Sequence, residues 1–182
     1  MKNKIGKNTA LLLLASLLTM LVGCGSVHTR TDIAGESLDQ YKIAYIVEPK
    51  VYSMEEAAET NKALQDKLWS WKSFAQKDLE SYFHGNGYKV VFDLPNVYTQ
   101  EIMMVDLDVN VKYGNRALRY WVGFGAGAGS VDSVLKIMDL ESGEELFKAV
   151  AESDLSVGRY GGDVGAVVKK NIQALVNQVP IR

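Results

Sequence analysis

The chain has 182 residues, with 20 Lys and Arg against 22 Asp and Glu, a formal net charge of −2 and a pI near 5.7. That balance leaves no electrostatic footprint for nucleic acid, and no cluster of Lys or Arg is dense enough for a polybasic lipid-binding patch. Cys24 is the one cysteine, so no internal disulfide can form and the fold must rest on its core.

Lys2, Lys4 and Lys7 make a basic start, and an uncharged, leucine-rich run follows from Ala10 to Val22. The run is long enough for a signal-peptide core but short for a bilayer span. It ends in Leu21-Val22-Gly23-Cys24, with the cysteine where a small-residue cleavage site belongs. These residues resemble the lipobox of bacterial lipoproteins. The resemblance implies a signal peptide over residues 1–23 and cleavage between Gly23 and Cys24. It also implies a diacylglycerol on the Cys24 thiol and an acyl chain such as palmitate on the new amine, with no other cofactor. Several acyl chains make a stable anchor, because each buried methylene contributes about 0.8 kcal/mol. Acylated Cys24 could not serve as a catalytic thiol. Gly25, not an aspartate, follows the cysteine. By analogy with lipoproteins of double-membraned bacteria, this favours the outer membrane, with the domain facing the periplasm.

The mature chain of about 159 residues is enough for one domain with a proper core. Residues 24–40 read as the lipidated cysteine and a flexible tether, because they are small, polar and without apolar periodicity. Residues 41–182 read as a single α/β domain. Tyr41 to Glu48 is the first expected strand, closed by Pro49. Ser53 with Glu56 makes a capping box that should open a helix. Its stripe runs through Ala57, Leu64, Leu68, Trp71, Ala75, Leu79 and Tyr82, and Gly85 and Gly87 stop it. Tyr88 to Phe92 is a second strand, expected to lie parallel to the first across the helix. Val105 to Tyr113 alternates apolar with Asp106, Asp108, Asn110 and Lys112, the mark of a strand with one solvated face. Val131–Asp139 and Glu144–Glu152 follow, separated by a Glu141-Ser142-Gly143 turn, and these last three strands should pair antiparallel. Asp163 caps a final helix carrying Val164, Val168, Ile172, Leu175 and Val179, ended by Pro180. The expectation is a mixed sheet of about five strands in β-α-β-β-β-β-α order, with two main helices packed on it.

The unusual stretch is Arg119-Tyr120-Trp121-Val122-Gly123-Phe124-Gly125-Ala126-Gly127-Ala128-Gly129. An arginine and aromatic pair leads into a glycine run. A strand then ends in Asp139, and a Gly143-Glu144-Glu145-Leu146 turn follows. On these motifs the chain resembles a bacterial lipoprotein family catalogued as domain of unknown function 4410, over roughly residues 40–180. The resemblance implies a lipoprotein and no particular chemistry. A dinucleotide fingerprint is not met, because Ala128 and Ser130 stand where its third glycine is needed and no Lys-Ser or Lys-Thr follows. In extended form, Gly123, Gly125, Gly127 and Gly129 share one face, open to close approach by another element, a partner or a second copy. Trp121 and Phe124 flank it. Tyr120 to Gly129 carries no charge and has the length of a barrel strand, so membrane contact is a further reading.

The remaining candidates are few. His28 and His84 have no Cys, His or carboxylate at ligand spacing, so no metal site is expected. Asp106, Asp108 and Asp139 are the acids an envelope hydrolase or ligand-binding protein would use. Trp69 lies about 200° of helical rotation from Trp71 and is expected to be covered by a neighbouring element, the alternative being a partner's anchor. The leading expectation is a non-enzymatic, lipid-anchored binding or assembly module. Its partners would be the membrane and either an envelope protein or a second copy. The alternatives are an oligomeric, pore-forming component using the Gly-rich segment and the carboxylate-dependent protein.

Overall fold

The computed structural model describes residues 27–33, 37–54, 61–94, 101–112, 129–155 and 163–181. In chain order these form β1 (Val27–Ile33), a 3-10 turn (Leu38–Gln40), β2 (Ile43–Ile46), β3 (Lys50–Tyr52), α1 (Lys62–Gly85), β4 (Lys89–Val91), β5 (Ile102–Lys112), β6 (Gly129–Asp139), β7 (Glu145–Leu155) and α2 (Val164–Val176). The fold class is the expected mixed α/β, but the sheet has seven strands, in the order β1-β7-β6-β5-β2-β4 with β3 also on β5.

The alternating sequences of β5 and β6 decide the layering. Val105, Leu107, Val109 and Val111 point to one side and are fully buried, as are Val131, Leu135 and Ile137. They meet Ala75, Leu79 and Phe83 of α1 and Val168, Ile172 and Leu175 of α2 in one core. The opposite sheet face carries ion pairs, Lys112–Asp132 at 2.8 Å and Lys50–Asp106 at 3.5 Å. The antiparallel pairing of β5, β6 and β7 is as expected. So is the parallel pairing of β2 with β4 across α1.

The two additional strands correct the sequence reading. Residues 27–33, expected within a flexible tether, form β1 and pair antiparallel with β7. Most of its side chains are exposed, so its place is held by the backbone ladder and by Gln178. The Gln178 amide donates to Thr29 Oγ1 at 2.6 Å and accepts from Thr31 Oγ1 at 2.6 Å. Residues 37–40 of the supposed tether also join the fold. Leu38 is buried, Tyr88 donates to its carbonyl at 3.3 Å, and buried Tyr41 donates to Asp139 Oδ2 at 2.9 Å.

β3 appears because Pro49 interrupts the first parallel stretch without ending it. Ile46 faces Val105 and Lys50 faces Asp108, so four steps on this side match three on β5. That is a one-residue bulge, at which proline's missing N–H is tolerated. The helix start is corrected too. Ser53 lies outside α1 and Glu56 outside the described residues. The described helix opens at Lys62 under Asn61, whose side chain accepts from the Leu64 amide at 3.2 Å. Its end is as expected: Gly85 closes α1, and Gly87 takes φ +88°.

α2 is pinned by a buried polar cluster. The Asn171 amide donates to the Val131 carbonyl at 2.8 Å, and Ser153 Oγ donates to Asn171 Oδ1 at 2.5 Å. Ser133 Oγ and the Ala151 carbonyl lie at 3.4 Å from the same amide nitrogen. A buried amide costs stability unless it is paired, and here both of its ends are.

Candidate functional site

A cleft of about 500 Å³ opens between the middle of α1, from Trp69 to Lys77, and the start of α2, from Asp163 to Lys169. Three aromatic residues of α1 line it. Trp71 and Phe74 are half-buried, while Trp69 is 71 % exposed. The expectation that a neighbouring element covers Trp69 is therefore corrected. The helix turns this indole away from the core stripe of Ala75, Leu79 and Phe83, and most of its surface meets solvent.

The wall of α2 comes as close as it does because residue 165 is glycine. A Cβ built there would lie 2.8 Å from Trp71 Nε1 and 3.1 Å from Asp163 Oδ1. Lys169, one turn on, places its ammonium 4.7 Å from the centre of the Phe74 ring, a cation–π contact. Lys77 adds a second cation and Asp163 an acid. Asp163 caps α2 by position but makes no side-chain cap bond. The cleft thus offers flat aromatic surface beside two ammonium groups, which suits binding by stacking and charge. No histidine lines it, and neither do Asp106, Asp108 or Asp139.

Each of those acids has a partner. Lys50 reaches Asp106, and Tyr52 hydrogen-bonds Asp108. Burial first, and that bond second, raise the Tyr52 phenol above its ordinary value. Asp139 organises the β6–β7 turn. Its Oδ1 accepts from the Ser142 amide at 2.7 Å, Ser142 Oγ at 2.9 Å and the Glu141 amide at 3.0 Å, and Gly143 takes the φ of +73° that the turn requires. Led by the Ser142 amide, these donors and Tyr41 hold the Asp139 carboxyl below its ordinary value. Burial, and then the bond to Asp139, push the Tyr41 phenol up to about 12. Asp139, one of the three acids considered for an envelope hydrolase or ligand-binding protein, is thus a turn-former. Asp78, beside the cleft-lining Lys77, has Oδ2 buried without a hydrogen-bond partner, and desolvation raises its pKa.

Gly129 is the buried first residue of β6 and faces Leu155. Gly23, Cys24, Trp121, Gly123, Phe124, Gly125 and Gly127 lie outside the described residues. His28 is exposed on β1 and His84 in the last turn of α1. Among the described residues, no three His, Cys, Asp or Glu side chains gather as metal ligands, and no helix is long and apolar enough to cross a membrane. The grouping of Phe74, Asp163, Gly165 and Lys169 was missed from sequence, since it joins helices about 90 residues apart. The one local signal is a glycine in the first turn of a helix.

No protein-family model matches the chain, and no curated protein matches it. Solved structures do. A PelC dodecamer (L103M) from Paraburkholderia phytofirmans superposes with a TM-score of 0.50 at 14 % identity, covering 87 % of this chain and 100 % of that one. A PDZ domain protein from Parabacteroides distasonis gives 0.49 at 8 % identity, covering 94 % and 40 %. Lipoprotein GNA1162 from Neisseria meningitidis gives 0.37 at 14 %, covering 75 % and 95 %. At these identities the likeness is one of fold, and only the first reaches a score on which that can be argued.

Proposed function

We propose that this chain is a lipid-anchored envelope protein that works as a non-enzymatic binding and assembly module at the periplasmic face of the outer membrane. The observation that carries the reading is the position of Cys24. It closes a lipobox-like sequence and lies three residues before β1, so acyl chains there would hold the folded sheet itself at a surface. Gly25 after the cysteine supports the outer membrane, and the glycine-run motifs support kinship with the domain-of-unknown-function 4410 lipoproteins. The fold shared with a protein crystallised as a dodecamer supports a second copy as the first partner to test.

The mechanism is positional. Confinement to a surface raises the effective concentration of copies and partners, so contacts too weak to persist in solution become occupied. The aromatic and cationic cleft is a surface for such contacts. The partnered state of Asp106, Asp108 and Asp139 gives the hydrolase alternative no support.

Crosslinking in intact cells tests the reading. The wild-type protein should be captured with itself or with an envelope partner. Exchanging residues 1–24 for a leader that releases the domain unacylated should sharply lower that yield. The same adducts at the same yield from the released domain would overturn the positional mechanism.

A further inference from the structure

The strands and helices give the domain two unlike ends. β1 begins at Val27, which faces Ser153 near the C-terminal end of β7. β6 begins beside that same end, with Gly129 opposite Leu155, and β5 finishes there, with Lys112 opposite Ser130. β3 runs parallel to β5, so Tyr52 lies level with Asn110 and the chain continues toward this end at Met54. The helices start toward it as well. In α2, Asn171 bonds Ser153 near this end, while Gln178 bonds Thr29 and Thr31 further away. In α1, Lys72 pairs at 2.6 Å with Glu48, and Trp71 abuts Gly165 in the first turn of α2.

The opposite end carries the Asp139–Glu144 turn and the α1–β4 connection. Glu141, Ser142, Glu144, His84 and Asn86 are exposed there. The two most exposed large apolar side chains of the described residues, Met54 at 74 % and Trp69 at 71 %, lie in the other half, with the cleft.

We infer that the end formed by Val27, Met54, Lys112 and Asp154, with Trp69 beside it, is the surface that lies against the lipid bilayer. The inference rests on the anchor reading of Cys24 and adds an orientation to it. Val27 lies three residues after Cys24, and a fully extended chain spans those three steps in at most about 11 Å. The eleven residues of β5 place the two ends about 35 Å apart. An anchor on so short a lead cannot present the far end to the bilayer while Val27 stays in the sheet. Exposed Met and Trp side chains with neighbouring lysines suit the interface, where apolar tips enter the headgroup layer and cations meet phosphate.

The acylated protein, purified and reconstituted into phosphatidylcholine vesicles carrying headgroup nitroxides, tests this. Because Cys24 would be acylated, a cysteine introduced by Met54→Cys, Asp154→Cys or Glu141→Cys is the sole free thiol and accepts a fluorophore. Quenching should be several-fold stronger at positions 54 and 154 than at 141. Equal quenching, or stronger quenching at 141, in protein that has the acyl mass and floats with the vesicles would overturn the orientation alone. Protein without acyl mass that stays out of the floated vesicles would overturn the anchor reading and this inference together.

Discussion

Gly165→Ala tests whether the cleft wall is rigid. The added methyl lands 2.8 Å from Trp71 Nε1, closer than real Cβ contacts, and 3.1 Å from Asp163 Oδ1. The Asp163 carboxylate sits on a short side chain at a helix cap and can turn aside. The Trp71 ring is planar and half-buried, so relief there requires the ring or the helix to move. Overpacking of this kind costs about 1–3 kcal/mol. Replacing glycine in a helix returns up to about 1 kcal/mol, and less in the first turn. The net expectation is a loss of about 1–2 kcal/mol, or a melting temperature lower by about 2–8 °C in a domain of this size. In a Trp71→Phe background the clashing edge of the indole is gone, so Gly165→Ala should then be neutral or mildly stabilising. Thermal melts of the four proteins in this double-mutant cycle give the coupling directly. An unchanged melt for Gly165→Ala alone would refute the close approach and show that the indole yields freely.

Other consequences follow from the same geometry. Asn171→Ala leaves Ser153 Oγ and the Val131 carbonyl without their buried partner and opens a cavity, so chemical denaturation should show a loss of about 2–4 kcal/mol. Asp139 has a lowered folded pKa, so its contribution is complete above the ordinary value of 3.8 and is lost as pH falls through the depressed one. Tyr41 has a raised one, so its contribution holds below pH 10 and fades as pH climbs toward about 12. Stability measured against pH should therefore lose part of its acid limb in Asp139→Asn and part of its alkaline limb in Tyr41→Phe. Asp78 has its pKa raised by desolvation, so its ionised form is penalised in the folded state, and Asp78→Asn should raise the melting temperature at neutral pH.

What could be read from the sequence follows from how each element is stabilised. β5, β6 and β7 were legible because burial of one face writes period-two alternation into Val105–Val111 and Val131–Ile137. β1 was not, because the edge strand Val27–Ile33 is held by backbone bonds and an amide bridge that leave no hydrophobic pattern. β3 was hidden by Pro49, which reads as a stop until the partner strand shows a bulge. The Ser53–Glu56 signature runs into residues 55–60, outside the described residues, and the described helix opens at the Asn61 cap. Trp69 was placed correctly on the face away from the core, but exposure depends on what packs beside a helix, which no local pattern records. The cleft depends on Gly165 meeting Trp71 across two helices, and the pairing became visible only in the folded chain.

The proposed anchor and its address both depend on Cys24. Cells fed a fatty-acid analogue and then separated into inner and outer membranes test both directly. The wild-type chain should carry the label in its processed form and follow outer-membrane markers, and Cys24→Ala should remain an unlabelled precursor. Label persisting on Cys24→Ala, or processed wild-type protein found mainly with inner-membrane markers, would contradict the anchor or its address.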